Sequence, residues 1–556
     1  MVIDVKNWFK KNGIIFIVIL GLCGLMFFYI DKKQGFHEDE IFSYGSSNYK
    51  YDNVYRSYGY AQADMDYFWR VVWTGSLTNK VSKGIDFFLH KDEYKDSFDE
   101  ILKKEEPVWK TKDEANDYLS LSSENIFNFV SVWLNQALDV HPPLFYFGVH
   151  LFSTFSSNHF SKYIIFSLNL CFFIITLVGM LKITRLMHLD KYKIPNILLY
   201  GASMGAISTV IFQRMYMMLT CFAVWYLYYS LKFYKKDNFS KKDSIFYGLI
   251  IFGGFLTQYY FCVYAVGVFL FLSIFLWKDK QFKKWWHLFF IHASAAIVGI
   301  LLFPTAIEDI FFSYRGIGGS QDKEKSFLEM IIYFFTALGK AFSIPVILFG
   351  LLCLGILVLF VRSKHKKDNI LLFGPILLFV LVIAKISPFL GDAYTSRYIM
   401  MVFPLFVLGV VYLLQEIPWK HTLTLFTVCV VILTGYGLIT QKPTYLYQDY
   451  EEALELAKNN SDKYILYVYD NYFTHLNALP EFTIYEKHLI INHNIYDFSK
   501  LKINEELKAQ EEVILCIKNW VNQEDILTKI LDNTDFTKAD KILSLDESES
   551  TYYLLY

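Results

Sequence analysis

The sequence has few of the features that mark disulfide-bonded, metal-binding and nucleotide-binding proteins. It has seven cysteines in 556 residues, six of them in apolar stretches, so neither a disulfide framework nor a metal-type spacing is present. No glycine-rich phosphate loop follows any predicted strand, which leaves nucleotide binding without support. No internal repeat is visible, and no feature indicates a nucleic-acid partner. The function must therefore be sought in other residue types.

Long apolar runs are what the sequence has in abundance. The chain is 54% hydrophobic and 19% aromatic, and its mean hydropathy is +0.30. The runs have roughly 17 to 21 residues, the length needed to cross about 30 Å of hydrocarbon. The first run, 14–30, follows three lysines and precedes no small-residue cleavage site, so we expect a retained helix. The sequence therefore predicts a polytopic α-helical membrane protein.

About eleven segments have the length and composition of transmembrane helices. They are 14–30, 163–182, 193–212, 215–231, 244–260, 261–277, 286–304, 341–361, 369–386, 397–414 and 421–439. Two further apolar segments, the one after His141 and 326–339, are expected to be interfacial or re-entrant helices. A full crossing after His141 would invert every later loop and break the rule that basic residues collect in the cytoplasm.

Four connections are rich in lysine and arginine and alternate with basic-poor ones. They read "KITRLMHLDKYK", "LKFYKKDNFSKKD", "WKDKQFKKWW" and "RSKHKKD". If the N-terminus is cytoplasmic, these spans place all four in the cytoplasm. Eleven crossings then place the C-terminal tail outside. We therefore expect a multi-pass protein of the plasma membrane with an extracytoplasmic C-terminal domain.

Charge and periodicity divide the chain near residue 440. From 441 onward there are eleven basic and twenty-one acidic side chains, although the whole chain has a net charge of only −1. Stretches such as "YILYVYD" and "EEVILCIKN" are typical of strands, and helical stretches separate them, which predicts a small α/β domain with a largely parallel sheet. We thus predict a catalytic transmembrane domain, 1–440, with a long first external loop at 31–140, and an α/β domain at 441–556.

Under this topology, acidic, cationic and aromatic side chains stand at the outer ends of predicted helices. A carboxylate can remove a proton from an acceptor hydroxyl, while arginine and histidine can hold a phosphate and stabilise its charge as it leaves. Ionisable groups at a membrane boundary are costly to desolvate, which favours a function or a partner for each. The set suits transfer of a group from a membrane-embedded phosphate ester to a hydroxyl.

Four motifs in order resemble those of the GT-C membrane glycosyltransferases. They are "HEDEIFS", "HPPLFYF", "QRMYMML" and "SRYIMMVFPLF", spread over roughly 10–415. The pattern is similar to that of the protein O-mannosyltransferases and the lipid A aminoarabinose transferase. The resemblance implies a GT-C-like membrane fold and a polyprenyl-phosphate-linked sugar as donor, used on the outer face of the membrane.

Carried over by position, the resemblance assigns roles to five residues. The acidic pair falls on Asp39, the expected base, and Glu40. The residues expected near the lipid phosphate are His141, Arg214 and Arg397. The chain departs from the pattern at Gln258, where relatives often have histidine before tyrosine, which weakens a metal or phosphate contact there. Hard oxygen ligands at Glu40 permit a divalent cation, but nothing in the sequence requires a metal or another cofactor.

Three tyrosines are further candidates for substrate contact: Tyr216, Tyr260 and Tyr398. Interfacial tyrosines also form the aromatic belt of membrane proteins, so this alternative stays open for each of them. Glu38, which precedes the acidic pair, is expected to take no direct part in the reaction.

The predicted function is an inverting hexosyl or pentosyl transfer from a polyprenyl-phosphate donor to a hydroxyl of an envelope glycan, lipid or protein. One alternative is a ligase that moves a longer glycan from a lipid diphosphate. A second is a transporter or flippase, which the missing repeat and the one-sided polar residues count against. A third is a non-catalytic assembly or sensor protein whose α/β domain binds partners.

Overall fold

The computed structural model describes residues 5–50, 55, 75–89, 107–311, 327–386, 394–470 and 474–556. The chain divides into two compact units. The first unit comprises Met1–Ile30, Val140–Phe145 and Ile165–Thr444. The second comprises Asp31–Asp139, Tyr146–Ile164 and Tyr445–Tyr556. One division falls between Thr444 and Tyr445, and the second unit also takes in Asp31–Asp139.

The described residues of the first unit form helices joined by short connections, with no strand among them. The helices that it holds wholly or for the most part are Val5–Lys32, Tyr163–Leu186, Lys193–Gly201, Met204–Ile211, Tyr216–Lys235, Lys241–Thr257, Tyr260–Lys278, Phe282–Leu302, Ala306–Phe311, Phe327–Ala341, Val346–Arg362, Lys366–Ile386, Val402–Leu414 and Thr422–Thr440. Helices thus occupy each of the eleven segments that the sequence predicts as spans. Five of them are long and apolar enough to cross a membrane alone, or up to seven if each of two bent pairs counts as one span.

The first bent pair interrupts the segment 193–212, which the sequence predicts as one span, and the second joins the predicted interfacial helix 326–339 to the predicted span 341–361. Asp190–Gly201 and Met204–Ile211 meet at 58°, and Ser203 caps the second helix by accepting a hydrogen bond from the backbone of Ala206. Ile332–Ala341 and Val346–Arg362 meet at 104°. There Pro345 lacks the N–H that would continue a helix.

The segment after His141 is a short helix, Leu144–Ser153, of ten residues. At 1.5 Å per residue it is about 15 Å long, half of the hydrocarbon thickness. This length agrees with the interpretation of the segment as a helix that does not cross the membrane.

The second unit combines helices with one sheet. Its helices are Glu38–Asn48, Leu77–Leu89, Lys112–Leu119, Phe129–Ala137, most of Leu144–Ser153, Tyr450–Asn459, Leu479–Phe482, Glu505–Lys508 and Gln523–Asp532. Its strands are β1 (Lys110–Thr111), β2 (Tyr464–Tyr469), β3 (Lys487–Asn492), β4 (Val513–Lys518), β5 (Ala539–Leu545) and β6 (Ser550–Leu555). Aliphatic residues of β2, β3 and β4 form its core together with Ile526 and Ile530, which lie four residues apart on one helix face.

The strand order is β1-β3-β2-β4-β6-β5. β2 is central and pairs in parallel with β3 and β4, whereas β1, β5 and β6 are attached antiparallel. The expectation of a largely parallel sheet is therefore correct only for the three middle strands.

Two strands escaped the sequence analysis for identifiable reasons. β5 is an edge strand whose residues are mostly exposed, so it lacks the apolar run of a buried strand. β1 has two residues and comes from the first external loop, where Lys110 pairs with His488. Such a long-range pairing leaves no local sequence signal.

Candidate functional site

The acidic residues 38–40 begin a helix of the second unit, Glu38–Asn48, which we call the acid helix. His37 caps it with a ring nitrogen, Nδ1, that accepts from the backbone N–H of Asp39 at 3.1 Å. The Glu40 carboxylate accepts from the backbone N–H of His37 at 2.8 Å, which completes a capping box. The three carboxylates therefore stand in the first helical turn, where the helix dipole stabilises negative charge.

Glu40 is fully buried and forms an ion pair with Lys33 at 2.9 Å. The Lys33 ammonium also donates to the carbonyl of Tyr445 at 2.5 Å. Burial lowers the pKa of Lys33, and the Glu40 carboxylate opposes that shift. The Glu40 carboxylate is engaged in these contacts, which hold the acid helix to the segment around Tyr445.

Asp39 differs from Glu40 in its exposure. Its side chain is 27% exposed and lies 3.7 Å from His37 Nδ1. A partly exposed carboxylate held in a first helical turn can reach a substrate hydroxyl. Asp39 is therefore the more accessible of these two carboxylates.

The six other predicted residues lie in the first unit and form the cationic cluster: His141, Arg214, Tyr216, Tyr260, Arg397 and Tyr398. His141 Nε2 lies 3.4 Å from a terminal nitrogen of Arg214, which is buried. Tyr398 joins the other members, because its ring centroid lies 5.5 Å from that of Tyr260 and 6.4 Å from that of Tyr216.

Arg397 contacts the same tyrosine through both its charge and a hydrogen bond. Its guanidinium lies 5.3 Å from the Tyr398 ring centroid, and a terminal nitrogen donates to the hydroxyl at 3.5 Å. Guanidinium groups that rest on aromatic rings keep a fixed orientation and are suited to binding phosphate. Arg214 and Tyr216 belong to one short turn, so that turn connects the two parts of the cationic cluster.

A buried asparagine that the sequence analysis did not single out supports this turn. The Asn169 side-chain amide donates to the carbonyls of Val210 at 3.1 Å and Phe212 at 2.9 Å. The Phe212 carbonyl also accepts from the backbone N–H of Arg214 at 2.8 Å, so the Asn169 amide supports the turn at which Arg214 lies. The signal in the sequence was a lone amide within an apolar span, "SLNLC".

A second missed residue is Asp309, which is buried on the short helix Ala306–Phe311. Its carboxylate accepts from the Tyr259 hydroxyl at 2.9 Å. Gln258 accepts from the backbone N–H of Tyr259 at 2.9 Å, so its side chain helps to shape the break before Tyr260. At this break, the Tyr259 hydroxyl is bonded to Asp309 and the Tyr260 ring packs against Tyr398.

A metal ion finds no preformed set of ligands in the described part of the chain. There, no group of three or more histidine, cysteine, aspartate or glutamate side chains is arranged to hold one.

Sequence comparison identifies no relative, because no protein-family model matches the chain and no curated protein is matched. Solved structures are similar in fold. ArnT from Cupriavidus metallidurans bound to undecaprenyl phosphate matches with a TM-score of 0.55 at 8% identity, over 98% of each chain.

Two weaker structural matches accompany it. ArnT from the same organism in the apo state has a TM-score of 0.43 at 9% identity, over 74% of this chain and 87% of that one. The arabinofuranosyltransferase AftD from Mycobacteria has a TM-score of 0.41 at 10% identity, over 78% of this chain and 38% of that one. The full-length match to undecaprenyl phosphate-bound ArnT shows that the chain has the fold of the GT-C membrane glycosyltransferases.

Proposed function

We propose that the chain is an inverting glycosyltransferase that moves a sugar from a polyprenyl-phosphate donor to a hydroxyl on the outer face of the membrane. The observation that carries the proposal is the cationic cluster of a GT-C fold, in which His141 lies 3.4 Å from Arg214 and Arg397 lies against Tyr398. Positive charge in fixed orientation is what a departing lipid phosphate requires. ArnT, the full-length structural match, binds undecaprenyl phosphate.

The reaction is a single displacement at the anomeric carbon. Asp39 removes the proton from the acceptor hydroxyl, whose oxygen attacks the anomeric carbon as the bond to the phosphate oxygen breaks. Arg214, Arg397 and His141 neutralise the charge that remains on the lipid phosphate. Glu40 contributes indirectly, because its pair with Lys33 fixes the turn that carries Asp39. We propose that Tyr216, Tyr260 and Tyr398, which belong to the same cluster, contact the donor substrate.

The experiment compares sugar transfer from a synthetic polyprenyl-phosphate sugar by wild type, Asp39→Asn and the neighbouring control Glu38→Gln, each in lipid nanodiscs. Loss of a general base typically lowers turnover by about 10²- to 10⁴-fold. We expect that loss for Asp39→Asn with donor KM unchanged, and near wild-type turnover for Glu38→Gln. Equal turnover of Asp39→Asn and wild type would remove Asp39 from its role.

A lipid diphosphate donor is the second candidate, since two arginines and a histidine could also bind two phosphates. Parallel assays with mono- and diphosphate donors decide between them. We expect turnover with the monophosphate alone; turnover with the diphosphate alone would favour the ligase.

A further inference from the structure

The sheet of the second unit has a topological switch point at β2, where successive strands are added on opposite sides. β2 is followed in sequence by β3 on one side of it and by β4 on the other, and all three strands are parallel. The connections that leave the carboxyl ends of β2 and β4 therefore diverge. In open α/β sheets, the crevice at such a switch point is the usual place for a ligand.

The residues at this crevice form a surface of unusual composition. Trp520 follows β4 and is 43% exposed, and its indole N–H donates to the carboxylate of Asp470, which follows β2. The buried Lys518 ammonium lies 5.3 Å from the centroid of the Trp520 ring. The indole is thus held by its nitrogen and has a cation near its ring, while a large part of the side chain stays open to solvent.

Lys518 is itself fixed from the neighbouring strand. Its ammonium donates to the carbonyl of Ser548 at 2.9 Å and to the hydroxyl of Ser550 at 3.0 Å. A buried, anchored ammonium cannot turn away from the indole without losing both hydrogen bonds. The indole of Trp520 is therefore preorganised.

The acid helix belongs to the same edge of the second unit. It packs against Thr474–Ala478, the turn of helix that follows β2. Glu38, beside the candidate base, lies within electrostatic range of Lys518 and of Tyr467 on β2. Burial lowers the pKa of Lys518, and nearby acidic groups, Glu38 among them, oppose that shift.

We infer that this crevice is the acceptor site and that it binds a carbohydrate, with one sugar ring stacked on Trp520 and its hydroxyls bonded to Asp470. The inference rests on the proposed function, since it names the class of acceptor. One face of a pyranose carries mainly C–H groups that pack on an aromatic ring, and the hydroxyls at its rim need carboxylate or ammonium partners. The exposed part of the Trp520 indole provides the stacking surface and the Asp470 carboxylate provides the hydroxyl partner, while the buried Lys518 ammonium lies near the indole ring.

The position of the crevice explains why the acceptor would bind there. The acid helix packs against Thr474–Ala478, the segment that follows β2, and Asp39 lies in the first turn of that helix. A glycan held on Trp520 extends along the edge that presents the base, so that its terminal hydroxyl can be deprotonated.

The test measures binding to the full chain in nanodiscs without donor. The probes are maltohexaose and chitohexaose, with unstructured hexapeptides as a second panel, and saturation-transfer NMR reports which probe protons touch the protein. We expect one of the oligosaccharides to bind, with the strongest transfer to the C–H protons of one ring face. Trp520→Ala should weaken this binding roughly tenfold or more, as truncation of a buried aromatic anchor does, and Trp520→Phe should retain part of it.

The matched control is Tyr556→Ala, an aromatic residue of similar exposure, 37%, at the opposite edge of the same sheet. It should leave binding unchanged, and equal thermal midpoints of all variants exclude unfolding. Three results would overturn the inference: no oligosaccharide binding by wild type, unchanged binding by Trp520→Ala, or Trp520-dependent binding of the peptides alone. Trp520-dependent sugar binding in a protein that transfers no sugar from any lipid donor supports the site and rejects only the proposed catalysis.

Discussion

At the scale of single residues, the three adjacent carboxylates differ because of their surroundings. The sequence presents Glu38, Asp39 and Glu40 as equals. The structure buries only Glu40 and pairs it with Lys33, while Asp39 stays partly exposed. A buried ion pair costs desolvation of both charges, so its value here lies in fixing a geometry rather than in stability.

This view of Glu40 predicts the outcome of a double-mutant cycle. Lys33→Met or Glu40→Leu alone leaves one buried charge without its counterion, and we expect each to destabilise the acid helix by about 3–5 kcal/mol. The double variant should lose much less stability of the acid helix than the sum of the losses of the two single variants. Hydrogen-exchange protection of the peptide covering Glu38–Asn48 measures the effect.

The control is the exposed pair Lys112–Glu486 of the same unit, which joins side chains that are about half exposed. Lys112→Met should leave protection nearly unchanged, because exposed pairs contribute little to stability. Additive losses at Lys33 and Glu40 would contradict the assigned role of the buried pair.

At the scale of elements, close packing decides where the acid helix lies. A Cβ added to Gly45 would lie 1.9 Å from Cζ of Tyr118, a fully buried ring on the helix Lys112–Leu119. Tyr118 in turn packs against Tyr49 and Tyr55, with ring centroids 5.5 Å and 5.4 Å away. The ring therefore has little room to move.

Gly45→Ala should accordingly destabilise the second unit by about 1–3 kcal/mol, the usual cost of overpacking a core. The control is Gly21→Ala in the first helix, where an added Cβ has no atom within 4 Å. There the same substitution should be neutral or stabilising by up to about 1 kcal/mol, since alanine favours helix. Thermal unfolding of the two variants in detergent makes the comparison, and equal behaviour would contradict it.

At the scale of the whole molecule, the proposed chemistry depends on the orientation in the membrane. The sequence predicts eleven crossings, with the connection around Asn238 in the cytoplasm and the C-terminal tail outside. Asn238 and Ser461 are both exposed, so cysteines introduced there can report which side each one faces.

In intact cells, a membrane-impermeant maleimide should label Ser461→Cys and not Asn238→Cys, and permeabilisation should make both reactive. Wild type is the background control, since all but one of its native cysteines lie in apolar stretches. Labelling of Asn238→Cys in intact cells would show that the predicted topology is inverted and that the tail lies in the cytoplasm.

The sequence by itself determined the class of protein and the residue types of the site. Long apolar runs can only be stable in a membrane, and four short motifs in order sufficed to indicate the GT-C fold that the structural match shows. Each of these signals is local, because it needs only neighbouring residues to be read.

Tertiary structure alone decided which of those residues meet. Tyr398 contacts Tyr216 and Tyr260 across well over a hundred residues of sequence, and Lys33 reaches a carbonyl 412 positions away. β1 and the exposed β5 complete a sheet of which the sequence indicated only β2, β3, β4 and β6. Contacts of this kind depend on how elements pack, and packing is a property of surfaces brought together from distant parts of the chain.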